Sequence, residues 1–230
     1  MPGPLHTFAL VAACFLLGHA VILGAFALIG LVDLRARPPG RGALRHLIEF
    51  VAAEALMLTA VIELGVVRLS RFSPVGTLVT LAVGFVWWEL WFYLGHRMMH
   101  TRALYAIHRP HHASAGLHPS LCFGALETVA LSSGFYLPLA LASHRFGVVS
   151  VETLALVFAG AYALNVASHL DVARLAATRW RFLLGPARRH ARHHAGARGD
   201  YGLNSAFLDR LFGTALVAPR QDPVGTLSAS

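Results

Sequence analysis

Lysine is absent from the 230 residues, cysteine occurs twice, and charged side chains make up 13% of the chain. Soluble domains carry about a quarter. So little charge beside 56% hydrophobic residues excludes an ordinary soluble fold, and the mean hydropathy of +0.60 indicates an integral membrane protein. Cys14 and Cys122 lie in separate apolar stretches, which excludes a disulfide framework and a cysteine zinc site. No glycine-rich dinucleotide fingerprint follows a predicted strand, no cysteine domain for an iron–sulfur cluster is present, and no His-Glu-x-x-His pair occurs. Internal repeats and low-complexity tracts are missing too.

What is there is arginine, histidine and long apolar runs. All 19 basic residues are arginines, set against 11 acids for a net charge of +8. They flank the apolar runs, as the positive-inside rule places them, so membrane topology accounts for them and no nucleic-acid partner is expected. Residues 5–32 form a run of 28 without an arginine or an acid, longer than the roughly 20 residues that cross a bilayer. It reads as a retained anchor, because Met1-Pro2-Gly3-Pro4 lacks the positive start of a secretory signal. A second run, His46 to Val67, carries Glu49, Glu54 and Glu63, acids expected to face the bundle interior or the interface. Val75 to Gly95 is a third span ending among Trp87, Trp88, Trp91, Phe92 and Tyr93. Ser120 to Ala142 and Phe146 to Ser168 are a fourth and a fifth run, joined by the turn Ser143-His144-Arg145. The expected fold is an all-α polytopic membrane bundle of four to five spans with a His-rich helical cap at the cytosolic face. Residues 1–74 are read as N-terminal membrane helices, 75–218 as a second, histidine-bearing domain and 219–230 as a flexible tail. With the first loop inside, 16 of the 19 arginines share one side; Arg68, Arg71 and Arg145 fall on the other. That puts the segments after Gly95 and after Ser168 together on the cytosolic side.

Histidine is the anomaly, with 14 in the chain. His96 and His100 follow the third span, then His108, His111 and His112, and much later His190, His193 and His194. Spacings of three and four place side chains on one helical face. Eight imidazoles are too many for one mononuclear site of three or four ligands and suit two ions. Neutral imidazole serves iron, zinc, copper or nickel alike. His169, at the matching end of the fifth run, is a ninth candidate, and Asn165 stands one turn before it. His118 is a candidate ligand or a partner to one. Glu89 and Tyr93 share a helical stripe with His96 and His100, where Glu89 either accepts a ligand's spare N–H or pairs with Arg97. His6, His46 and His144 read as solvated, and His19 as packed among helix neighbours. Asp200 and Asp209 are expected to cap helices.

From about Trp88 to Thr214 the chain resembles the fatty acid hydroxylase superfamily of sterol desaturase-like membrane di-iron oxygenases. The likeness rests on Tyr93 with His96-Arg97 and His100, on Leu104-Tyr105 before His108-Arg109-Pro110-His111-His112, on His118-Pro119, and on His190 to His194. It continues through Asp200-Tyr201-Gly202 and Leu208-Asp209-Arg210-Leu211-Phe212-Gly213-Thr214. Asp200 stands where asparagine is usual and Leu208 where tryptophan is usual, and Asn165 with His169 is a variant of the family's His-x-x-x-His pair. The resemblance implies two iron ions, with zinc able to replace them on overexpression, and O2 as co-substrate. It further implies hydroxylation or desaturation of an unactivated C–H bond in a membrane lipid such as a fatty acyl chain, a sterol-like lipid or a carotenoid. Electrons then come from a separate reductase, ferredoxin or cytochrome. The competing reading is a membrane metal or haem carrier, although transport ligands belong nearer mid-membrane. A lipid cleft is expected between the third and fifth spans, lined by Trp91, Phe92 and Leu164 and opening toward His96, His112 and His169. The sequence leaves the lipid, the carbon and the oligomeric state open.

Overall fold

The structure, a computed structural model, describes residues 3–33, 41–113, 123–196 and 198–216. Among these it is entirely helical. Helix α1 spans Pro4–Leu28, α2 Arg41–Glu63 and α3 Pro74–Met99; α4 covers Tyr105–His112. Helices α5 (Ala125–Ser132) and α6 (Tyr136–Phe146) are joined by the 3₁₀ turn Ser133–Phe135, and α7 spans Val151–Ser168. Three short helices follow: α8 (Val172–Ala176), α9 (Leu184–His194) and α10 (Phe207–Leu211). Helices α1, α3, the α5–α6 unit and α7 are long and apolar enough to cross a membrane. Helix α2 carries too many charges to join that set by composition, yet at 23 residues it packs along α1 and against α5.

Local chemistry sets the ends. Ser73 caps α3 by accepting from the Gly76 N–H, with Pro74 at the first helical position, and Ser150 caps α7 by accepting from Thr153; both satisfy N–H groups that a helix start leaves open. The expected turn at Ser143-His144-Arg145 belongs instead to α6. Reversal comes at Gly147, whose φ of 62° suits a residue without a Cβ. Helix α3 likewise runs past Gly95 and carries His96 in its last turn.

The outer surface is apolar. His19 is the buried residue of α1, while Leu10, Leu17 and Val21 are exposed, as expected of a helix that meets lipid along most of its girth. Buried Leu58, Phe135, Tyr136, Leu139, Leu154 and Val157 join α2, α6 and α7 in the main core. The two ends of the bundle differ. At one, the Ser70 N–H donates to the Val149 carbonyl, Arg68 N–H to Ser143 Oγ, and the His144 ring bonds the Gly65 and Val66 carbonyls. Arg68, Arg71 and Arg145 sit there. At the other, Leu31 and Val32 pack on Leu170, Leu175 and Leu184, and α4, α8, α9 and α10 form a cap over the ends of α3 and α7.

Candidate metal centre

Four elements aim imidazoles at one point beneath that cap. Helix α3 supplies His96, with His100 capping its end; α4 supplies His108, His111 and His112; His169 caps the end of α7; α9 supplies His190, His193 and His194. All nine sequence candidates meet there, in two groups. His96, His100, His108, His112 and His193 form one; His111, His169, His190 and His194 form the other, and within each group the ligand atoms lie within 4.8 Å of one another. Each His-x-x-His-His motif is split between them. The i, i+4 pair His108 and His112 serves the first group and His111 the second, whereas His190 and His194 serve the second and His193 the first. The groups adjoin through three near-parallel ring pairs: His108 on His111 with centroids 5.2 Å apart, His112 on His194 at 4.5 Å, and His193 on His190 at 5.9 Å.

The outward nitrogens decide what the inward ones can do. The Nδ1–H of His96 donates to the Tyr201 carbonyl at 2.7 Å, that of His193 to the Gly199 carbonyl at 2.8 Å and that of His169 to the Asn165 carbonyl at 2.8 Å. A carbonyl only accepts, so in the neutral ring the proton resides on Nδ1 and Nε2 is a bare lone pair. Those Nε2 atoms nevertheless crowd together. His96 and His108 are 3.1 Å apart, His108 and His112 3.0 Å, His112 and His193 3.1 Å, and His169 and His190 2.8 Å. The Nδ1 of His108 is taken up by the Glu127 carboxylate, so in the His96–His108 pair two bare lone pairs face one another, which repels unless a cation stands between them. The buried Nε2 of His100, which has no protein hydrogen-bond partner, adds another donor atom. Burial also drives the rings toward the neutral form that binds metal: it lowers His108 and His194 to about 2, His193 to about 3, and His100 and His169 to about 4. Neighbouring histidines add to the effect, and His111 and His190 are held well below the ordinary value for the same reasons. The donor set therefore fits metal ions.

Glu127 is a contributor that sequence reasoning missed. Its Oε1 lies 2.6 Å from His108 Nδ1, fully buried on α5, so a carboxylate orients a candidate ligand from behind. Its position as an acid inside the fourth apolar run was the available signal. The C-terminal segment works the same way. Asp209, expected as a helix cap, is fully buried and accepts from the backbone N–H groups of Tyr201 and Gly202 and from Thr214 Oγ1. It fixes the loop whose carbonyls hold His96 and His193. Asp200, at φ 51°, accepts two hydrogen bonds from Arg192 and one from the Leu216 N–H. Glu89 holds this loop as well, through Asn204 Nδ2 and the Ser205 N–H, in place of the imidazole or Arg97 contact expected of it. Tyr93 bonds Thr214 Oγ1 and accepts from Arg97.

His118 lies outside the described residues. His6 is exposed; His46 bonds Glu49, and His144 is anchored to two carbonyls despite its exposure. His19 is buried against Tyr162 and Phe50.

A cavity of about 770 Å³ lies beside the centre, separated from it by side chains in its wall. Phe92, Phe123 and Asn165 are in that wall, with the Phe92 ring centroid 5.1 Å from that of His96 and the Phe123 centroid 4.7 Å from that of His111. Helices α1 and α2 wall it together with α3, α5 and α7, a broader enclosure than the expected α3–α7 cleft. Phe92 lines it. Trp91 turns to α5, donating from its indole to the Leu131 carbonyl at 2.6 Å and covering Gly134, and Leu164 is half-buried on α7 outside the lining.

These features define a helical membrane protein with a buried, all-nitrogen donor centre beside an apolar cavity. The chain belongs to the fatty acid hydroxylase family, whose profile matches residues 81–214. No curated protein and no solved structure matches it. The family is one of lipid hydroxylases and related oxygenases, which places the chain among membrane oxidoreductases.

Proposed function

We propose that the protein is a di-iron lipid oxygenase that hydroxylates or desaturates an unactivated C–H bond of a membrane lipid with O2 and external electrons. One iron is held by His96, His100, His108, His112 and His193, the other by His111, His169, His190 and His194. When bound, the iron pair supplies the O2 chemistry that attacks such a bond. The residues around it do the rest. Carbonyls of Tyr201, Gly199 and Asn165 keep each partner ring in the tautomer that presents Nε2, and Glu127 does so for His108. Buried Leu203, Met99 and Phe92 help keep water away, and the apolar cavity brings an alkyl chain as far as Phe92 and Phe123, whose rings stand against His96 and His111.

The observation that carries this reading is the division of nine imidazoles into two adjoining groups with converging ring nitrogens. A carrier needs ligands spaced along a path, whereas these are gathered at one end. Metal analysis tests it. Purified protein should hold two iron ions per chain, His111→Ala and His193→Ala should each lower occupancy, and His6→Ala should leave it unchanged; a single ion at full occupancy would refute the assignment.

The centre is assigned to the cytosolic face, and residues 75–218 to the catalytic unit. Support comes from the arginines, since Arg68, Arg71 and Arg145 gather at the end remote from the histidines and the other described arginines at the histidine end. Single cysteines at positions 101–103 should resist a membrane-impermeant thiol reagent applied from the opposite side. Efficient labelling there would reverse the orientation.

A further inference from the structure

The wall of the cavity carries a buried carboxyl group that the proposed chemistry does not use. Glu54, 3% exposed on α2, lines the cavity beyond Phe50. One of its oxygens accepts from Ser132 Oγ and the other from the Tyr136 hydroxyl at 3.0 Å. Among the described residues no arginine or histidine makes an ion pair or hydrogen bond with it. Its helix neighbours Val51, Ala55 and Leu58 are buried and apolar.

A carboxyl group taken out of water is costly unless its acceptor positions are filled. Its two oxygens offer about four such positions, and two neutral hydroxyl groups fill two. Ser132 lies five residues beyond Glu127 on α5, about 8 Å along the helix. The unfilled acceptor positions therefore stand on the lipid side of the histidine centre, inside an otherwise mostly apolar channel.

We propose that Glu54, braced by Ser132 and Tyr136, accepts a hydrogen bond from a hydroxyl group of the substrate, so that the substrate class is a hydroxyl-bearing lipid held with its oxidised carbon toward the histidines. This inference rests on the reading of the histidine centre as the place of lipid oxidation. A plain hydrocarbon would leave the acceptor positions empty, and a carboxylate-headed chain would set two acids face to face. Glu54 lies outside residues 81–214 and its braces Ser132 and Tyr136 lie inside them, so the carboxyl group of the anchor comes from the N-terminal helices.

The test is binding to the full-length protein in nanodiscs, without turnover. Dibrominated octadecanol quenches tryptophan fluorescence and reports its arrival through Trp88, which lines the cavity; its methyl ether has the same chain and no donor. The alcohol should half-saturate quenching at about tenfold lower concentration than the ether, the worth of a hydrogen bond to a carboxyl group. Glu54→Leu should bring the alcohol to the level of the ether and leave the ether unchanged. Should Glu54→Leu fail to fold, Glu54→Gln, whose amide can donate, should narrow the gap from both sides. Equal binding of alcohol and ether by the unmodified protein, or an alcohol preference that survives Glu54→Leu, would overturn the proposal. Because no turnover is read, a protein that prefers the alcohol yet oxidises no lipid contradicts the catalytic reading alone, and an active enzyme without the preference contradicts the anchor alone.

Discussion

His108 is held from both sides by unlike partners: Glu127 at its Nδ1, and the Nε2 atoms of His96 and His112 at its other nitrogen. Removing the carboxylate frees the ring to rotate and lowers its basicity, and loss of such an outer partner typically costs about 10–100-fold in metal affinity. Glu127→Leu should therefore release iron to a competing chelator at concentrations lower by about that factor, with Glu127→Gln closer to the unmodified protein because its amide oxygen still accepts from Nδ1. Unchanged retention in Glu127→Leu would mean that the carboxylate has no hold on the centre. At this scale the histidines were legible because a one-letter pattern carries the ligand type and its helical spacing. Glu127 and Asp209 were not, since an acid's partner is fixed by tertiary packing that no local spacing encodes.

At the level of elements, the centre depends on a loop as much as on helices. Residues 199–205 present the Gly199 and Tyr201 carbonyls to His193 and His96, and Asp209 at the start of α10 ties that loop down through two backbone N–H groups. Asp209→Ala would strand both donors in the interior, at about 1–3 kcal/mol each. The expected result in thermal unfolding is a melting temperature lower by several degrees, together with reduced iron content; an unaltered melting temperature would contradict this role. The apolar runs located the spanning helices to within a few residues, because hydrophobic length is read directly from composition. Their rotation was not readable in the same way. Trp91 faces Gly134 and Phe92 faces the cavity, a difference of one residue that the all-round hydrophobicity of α3 does not signal, and Leu164 escapes the wall for the same reason on α7.

Across the whole molecule, apolar helices, an apolar cavity and a polar cap adjoin one another, the arrangement that the proposed function needs if a chain dissolved in the bilayer is to approach the histidines without crossing water. Helices α1 and α2 complete the cavity although they precede the matched residues 81–214, so under the proposed function substrate choice would depend on them too. The central claim is that this arrangement oxidises a membrane lipid at the histidine centre. Its most direct measurement is mass spectrometry of total lipids from cells making the unmodified protein, compared with cells making His193→Ala at equal abundance. The account predicts a lipid that has gained one oxygen atom or lost two hydrogens in the first cells, dependent on O2 and absent from the second. Identical lipid profiles, with iron present in the unmodified protein and an electron donor supplied, would contradict it.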